Sequence, residues 1–152
     1  MSAATLPAGT PVATIRTEVH IDAPAGEVWD AVRDVGEVHK RLVPGFVTDA
    51  FVENDVRTVT FANGFVVKER ITSIDDDARR LAYGAVEGRA TYHSASIEVV
   101  ADGEGARLIW ITDFLPQELG PFIGGNMEQG AAVMKTTLEA AASGRRAGAA
   151  RP

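Results

Sequence analysis

The sequence predicts an α+β domain in which a curved antiparallel sheet of about seven strands packs against a long C-terminal helix. Three observations support this prediction. Between residues 46 and 114, short runs with apolar residues at every second position alternate with polar turns, as in strands joined by hairpins. Apolar residues then recur at helical spacing over 117–143, and two short helical patterns follow the first strand.

The first strand is predicted over 13–23, because its apolar residues fall on one face at a period of two. Pro24 suits the first turn of a helix that continues to about residue 35. A second short helix over 37–43 must end before Pro44, since the residue before a proline disfavours helical geometry. These two helices are the only interruption predicted before the hairpins begin.

Six further strands and the final helix complete the predicted domain. The strands are expected at 46–53, 56–61, 65–74, 81–86, 91–100 and 107–114. The loop Ala62–Asn63–Gly64 has its glycine where a hairpin needs a left-handed residue. On the final helix, the apolar stripe is expected to serve core packing and consists of Ile123, Met127, Met134 and Leu138.

Counting residues across each hairpin predicts which side chains face the concave side of the sheet. The first hairpin places Arg57 opposite Glu69, and the next places Ser73 opposite Leu81. The resulting concave face is Arg57, Val59, Phe61, Phe65, Val67, Glu69, Ile71, Tyr83, Ala85, His93, Ile97, Trp110 and Thr112.

The polar members of this face allow two interpretations. Arg57 and Glu69 are cross-strand partners, either as a structural ion pair or as a pair that holds His93 in one tautomer. His93 would then be a general acid or base, and the alternatives are a ligand contact or a satisfied core histidine. Tyr83 could donate a hydrogen bond to a ligand carbonyl, and Trp110 could stack on an aromatic ring.

Composition excludes several classes of function. The net charge of -6 and a pI near 5.0 argue against nucleic-acid binding. Cysteine is absent, so thiolate chemistry and thiolate metal sites are excluded, and the three histidines lie too far apart for a zinc motif. No apolar run is long enough to span a membrane, and the first residues lack the features of a signal peptide. We therefore expect a cytoplasmic protein without metal or cofactor.

The predicted domain occupies residues 13–143. Residues 1–12 and 144–152 are small, rich in Pro and Gly, and aperiodic, and are expected to be disordered tails. The oligomeric state is left open, a homodimer included.

The segment IDAPAGEVWDAVRD, the Leu-x-Pro at 42–44 and the terminal amphipathic helix resemble the START-like superfamily, which has the helix-grip fold. RLVPGFV, TFANG, RRLAY and WITDFLP resemble its bacterial polyketide cyclase/dehydrase and lipid-transport-like branch. The resemblance covers about 13–142 and implies a cavity between sheet and helix. It supplies no catalytic residue, and the Rieske ligands of the oxygenase members are missing.

Three functions remain open. The first is binding of a small hydrophobic or aromatic molecule, polyketide- or lipid-like, between sheet and helix. The second is a cofactor-independent cyclase or dehydratase in which His93, held by Glu69, transfers the proton, Tyr83 polarises a carbonyl and Arg57 stabilises an enolate. The third is a protein-interaction module, which predicts an exposed apolar patch. The predicted ligand-binding residues are Trp110, Thr112, Phe61, Phe65, Val67, Ile97, Asn126 and Met127.

Overall fold

The computed structural model describes the backbone of residues 13–149 and the side chains of residues 13–145. Within that range, the strands are β1 (Ala13–Ile21), β2 (Val47–Glu53), β3 (Val56–Phe61), β4 (Val66–Asp75), β5 (Arg80–Glu87), β6 (Tyr92–Asp102) and β7 (Gly105–Leu115). The helices are α1 (Ala25–Arg33), α2 (Val38–Arg41) and α3 (Gly120–Ala149), with short 3-10 helices at Val35–Glu37 and Gln117–Leu119.

The seven strands form one antiparallel sheet in the order β1-β7-β6-β5-β4-β3-β2. β1 and β2 are therefore the two edges, and α1 and α2 provide the connection between them. α3 packs against the concave face of the sheet. This is the predicted α+β helix-grip architecture, with two short helices after the first strand.

The β3–β4 hairpin has the predicted register. Phe61 and Phe65 are joined by a backbone hydrogen bond of 2.8 Å, and Arg57 lies opposite Glu69. Gly64 has φ of +89°, a left-handed conformation that favours glycine, and the Asn63 side chain accepts a hydrogen bond from the Phe65 N–H. The glycine that predicted this turn adopts the expected left-handed conformation, and the Asn63 hydrogen bond stabilises the turn.

The β4–β5 pairing matches the prediction from Glu69 to Ile71 and differs on both sides of it. Before Glu69, the register shifts by one extra residue on β5, so that Lys68 pairs with Glu87. Ile71 lies opposite Tyr83, as predicted, but the register shifts before Ser73, which pairs with Ala82 rather than with Leu81. A β-bulge places one extra residue on β4 at this point. Because the bulge lies beyond Ile71, the cavity-facing part of β4 keeps the predicted orientation.

The β5–β6 ladder ends at Tyr83, which pairs with Ala95. Beyond it, a Cβ atom on Gly84 would lie 2.6 Å from the His93 carbonyl oxygen, so this approach of the two strands requires glycine. The β6–β7 pairing runs in the predicted register to the end of β6, with His93 opposite Phe114. β6 therefore remains fixed to β7 where it separates from β5.

The main hydrophobic core lies at one end of the fold. Val28 and Val32 of α1 pack there with Leu108 of β7 and with Met134 and Leu138 from the C-terminal half of α3. α3 contributes to this cluster from Val133 onward, and its earlier residues are not part of it, although Gly130 lies against the Trp110 ring. A dense core at one end leaves the other end of the sheet–helix interface for a cavity.

α3 continues to Ala149, past Gly144, where we predicted that the C-terminal tail begins. Its alanine-rich sequence favours helix, and Arg145 forms an ion pair of 2.9 Å with Glu27 of α1. The predicted N-terminal tail and the last three residues lie outside the described residues. None of the helices within 13–149 is long and apolar enough to cross a membrane.

Candidate ligand-binding site

A cavity of about 360 Å³ lies between the concave face of the sheet and the N-terminal half of α3. Ten of the twelve predicted site residues line it. They are Phe61, Phe65, Val67, Glu69, Tyr83, His93, Trp110, Thr112, Asn126 and Met127. The hairpin register alone therefore located most of the site's side chains.

The other two predicted residues, Arg57 and Ile97, line a smaller cavity of about 70 Å³ instead. Ile97 pairs with Trp110 across β6 and β7, but of these two residues only Trp110 also lines the larger cavity. Arg57 points along β3 toward the carbonyl oxygen of Val35, 3.4 Å from its Nη1. Neither side chain is available to a ligand in the larger cavity.

Trp110 and Tyr83 form a partition between the two cavities. The indole Nε1–H donates a hydrogen bond of 3.0 Å to the Tyr83 hydroxyl oxygen, and both side chains line both spaces. Glu69, Phe46 and Phe61 also border both. The depth available to a ligand is therefore set by this hydrogen-bonded pair.

Glu69 borders both cavities, at what we call the inner end of the larger one, and forms a buried ion pair with Arg57. The side chain of Arg57 is 6% exposed and that of Glu69 is 15% exposed. Arg57 Nε and Nη2 lie 3.1 and 3.0 Å from the same oxygen, Oε1 of Glu69, and its guanidinium carbon is 5.3 Å from the centre of the Tyr83 ring. Among the described residues, Oε2 of Glu69 has no hydrogen-bond partner.

Tyr83 provides a neutral hydroxyl at the same end of the cavity. Burial raises the pKa of Tyr83 above its ordinary value, and the nearby Glu69 carboxylate raises it further, against smaller opposing effects from Arg57 and the Trp110 hydrogen bond. Since the oxygen accepts from Trp110, its own hydrogen can be donated into the cavity. Tyr83 is therefore a hydrogen-bond donor to whatever occupies the space.

His93 is held in one tautomer by the backbone. Its Nδ1 accepts a hydrogen bond of 3.0 Å from the Ala85 N–H, at the point where the β5–β6 ladder ends. A neutral imidazole that accepts at Nδ1 carries its proton on Nε2. Burial lowers the pKa of His93, while the Glu69 carboxylate opposes this shift. His93 therefore faces the cavity as a neutral ring with an Nε2–H donor.

Three residues of the cavity mouth were missed by the sequence reasoning. Phe122 of α3 lies 6.3 Å from Phe65, measured between ring centres, and the Arg89 guanidinium lies 5.1 Å from the centre of the Phe122 ring. Phe46 packs edge-on against Phe61 at 5.5 Å. Arg89 lies in a loop and Phe122 at a helix start, where a period of two assigns no face. Phe46 was expected in the second strand but lies in the turn that precedes β2. The only available signal was that Phe122 follows Pro121 at the expected beginning of the helix.

No cluster of three or more histidine, cysteine, aspartate or glutamate side chains that could hold a metal ion occurs among the described residues. The polar groups that line the cavity are instead two carboxylates, one guanidinium, hydroxyls, amides, an indole N–H and one imidazole. This set can orient a ligand by hydrogen bonds while the surrounding aromatic and aliphatic side chains cover its body.

The model of the family described as "polyketide cyclase / dehydrase and lipid transport" matches residues 12–145. The chain belongs to this family. Family membership and fold together support the binding of hydrophobic molecules as the general class of function. A comparison with curated proteins gave no match.

Solved structures show the same fold for this member of the polyketide cyclase/dehydrase and lipid transport family. Norcoclaurine synthase from Thalictrum flavum is 20% identical, with a TM-score of 0.68 over 86% of this chain and 96% of that one. A Thermobifida fusca protein is 28% identical, with a TM-score of 0.66 over 83% of this chain and 90% of that one. Ara h 8.0201 is 18% identical, with a TM-score of 0.66 over 84% of this chain and 98% of that one. The chain therefore has the START-like helix-grip fold.

In this family member, the half-buried His93 is expected to make stability depend on pH. Because its folded pKa lies below the unfolded value of about 6.5, the unfolded chain binds more protons just below that pH, and stability falls as pH decreases toward the folded pKa. Between pH 7.5 and 5.5, the melting temperature of the native protein should fall further than that of His93→Asn. Asparagine does not titrate and can still accept from the Ala85 N–H. If differential scanning calorimetry shows the same change of melting temperature with pH in the native protein and in His93→Asn, this role of His93 is excluded.

Proposed function

We propose that this protein binds a small aromatic or polyketide-like molecule in the cavity between the sheet and α3, with the polar end of the molecule at Glu69, Tyr83 and His93. The observation that supports this is the combination of apolar walls with buried polar groups that have unused hydrogen-bonding capacity. At about 360 Å³, the cavity is at the small end of the range of roughly 300–1,000 Å³ typical of ligand pockets. Its size favours one or two rings over a long lipid chain.

A cofactor-independent cyclase or dehydratase is the second candidate, and Glu69 is the observation that favours it. An ionised carboxylate oxygen beside a neutral phenol could remove a proton while Tyr83 stabilises an enolate oxygen. His93 fits a donor better than a base, because accepting a proton at Nε2 would require the ring to release the one already there. Release of a chemically altered molecule from a bound substrate would distinguish catalysis from binding.

The binding proposal is tested by native mass spectrometry and by titration with Prodan, a neutral two-ring naphthalene whose fluorescence reports a dry environment. Ala85 lines the cavity, so Ala85→Phe fills part of it, whereas the neighbouring Val86 is exposed and does not line it. We expect the native protein and Val86→Phe to retain a co-purifying molecule or to bind Prodan at one site. Ala85→Phe should lose at least tenfold in Prodan affinity.

The proposal fails if the native protein neither retains a molecule nor binds Prodan. It also fails if Ala85→Phe binds as tightly as Val86→Phe while both variants melt as folded proteins, because the bound molecule would then lie elsewhere.

A further inference from the structure

The larger cavity is lined by two hydrogen-bond donors and an acceptor that have free capacity, and the rings that carry the two donors, Tyr83 and His93, lie 6.2 Å apart between their centres. The donors are the Tyr83 hydroxyl and the His93 Nε2–H. The Tyr83 oxygen already accepts a hydrogen bond from Trp110, and Nδ1 of His93 already accepts one from the Ala85 N–H. The acceptor is Oε2 of Glu69, because Arg57 takes only Oε1. All three side chains line the same space.

From this arrangement we infer that the inner end is a subsite for a neutral hydroxyl group, such as that of a phenol, an enol or an alcohol, and that it rejects carboxylates. A hydroxyl donates one hydrogen bond and accepts up to two, which matches one free acceptor and two free donors. The inference rests on the proposed function and specifies the chemistry of the ligand's polar end.

A ligand carboxylate would leave Glu69 without a donor and would place a second negative charge beside it. The Arg57 charge cannot compensate, because it is already paired with Glu69 and directed at the Val35 carbonyl. The other cation of the lining, Arg89, lies over the Phe122 ring at the mouth. In a space enclosed by aromatic side chains, an unpaired like-charge contact is poorly screened. A ligand ether or ketone would satisfy Tyr83 and His93 but not Glu69, so a buried acceptor would be left unmatched.

Thr112 adds adaptable capacity to the same subsite. It is 2% exposed, lines the cavity, and its hydroxyl has no hydrogen bond to any described residue. A threonine hydroxyl can rotate to donate or accept. It can therefore complete the hydrogen bonding of a ligand hydroxyl but cannot substitute for the charge compensation that a carboxylate needs.

The test is displacement of Prodan by three matched naphthalenes: 2-naphthol, which donates and accepts; 2-methoxynaphthalene, which only accepts; and 2-naphthoate, an anion. We expect 2-naphthol to bind about tenfold more tightly than 2-methoxynaphthalene and more tightly still than 2-naphthoate. Equal affinities, or tighter binding of 2-naphthoate, would overturn the hydroxyl subsite while leaving the proposed function intact. If Prodan binds and none of the three naphthalenes displaces it, the hydroxyl subsite is also overturned. A native protein that neither retains a molecule nor binds Prodan would instead refute the proposed function itself.

Two variants assign the effect to the named groups. His93→Asn keeps an acceptor for the Ala85 N–H but removes the Nε2–H, and should weaken 2-naphthol binding about fivefold. Ser94→Ala, on the opposite, exposed face of β6, should leave it unchanged. In the uncharged double variant Arg57→Met/Glu69→Gln, 2-naphthoate should gain about tenfold relative to 2-naphthol. An unchanged ratio in that variant would show that Glu69 does not set the selectivity.

Discussion

Arg57→Met is expected to lower the free energy of unfolding by about 3–5 kcal/mol, the range found when one partner of a buried ion pair is removed. The substitution keeps an unbranched side chain of similar length, so the loss comes mainly from leaving the Glu69 carboxylate unpaired in an apolar cavity. The Arg57 side chain is 6% exposed, and its contacts with Glu69, the Val35 carbonyl and the Tyr83 ring are all lost together. Urea denaturation followed by circular dichroism measures the change.

The double variant Arg57→Met/Glu69→Gln is the control for this expectation. Because no charge remains to be buried, it should recover a large part of the stability lost by the single variant. The surface pair Arg33–Asp76 provides a second comparison, since both partners are well exposed and Arg33→Met should cost far less stability than Arg57→Met. Strictly additive effects of the two substitutions in the buried pair would contradict coupling between Arg57 and Glu69.

Trp110→Ala should lower the free energy of unfolding by about 3 kcal/mol, near the lower end of the range for large aromatic-to-alanine substitutions. The indole packs against α3, where a Cβ on Gly130 would already lie 3.1 Å from the ring, but it also borders open space, so fewer contacts are lost than in a filled core. The substitution removes the partition and joins the two cavities. A loss below about 1 kcal/mol in urea denaturation would contradict this packing role.

Trp110→Phe separates the ring from its hydrogen bond. It keeps an aromatic side chain between the cavities but no longer donates to Tyr83, and should cost only about 1 kcal/mol. If the partition sets ligand depth, Trp110→Ala should accept elongated 2-alkoxynaphthalenes that the native protein and Trp110→Phe exclude. Identical length limits in all three proteins would place the limit elsewhere.

The strand faces could be predicted because hairpin geometry is local. Once the loop at Asn63–Gly64 fixes the register, Arg57 must lie opposite Glu69, and the period of two extends that result along both strands. The bulge that moves Ser73 away from Leu81 has no such local signature, since an extra residue is accommodated by backbone bending and its position depends on the neighbouring strands.

The detailed chemistry of the site could not be derived from the sequence. The alternation placed His93 on the concave face, but the bond from the Ala85 N–H to Nδ1 exists only because the β5–β6 ladder stops two residues earlier. Likewise, a cross-strand pairing of Arg57 and Glu69 does not show which carboxylate oxygen the arginine engages. The mouth depends on Arg89 and Phe122, whose positions follow from how a loop and a helix start meet in three dimensions.

The separation of the dense core from the cavity along α3 has an evolutionary consequence. Met134 and Leu138 anchor the C-terminal half of the helix among buried side chains of α1 and β7, whereas Asn126 and Met127 face the ligand space. Substitutions in the first half of the helix and along the β3–β4 tip can therefore change selectivity with little effect on the residues that hold the fold together. Such a scaffold can diversify in what it recognises while its folding requirements stay constant.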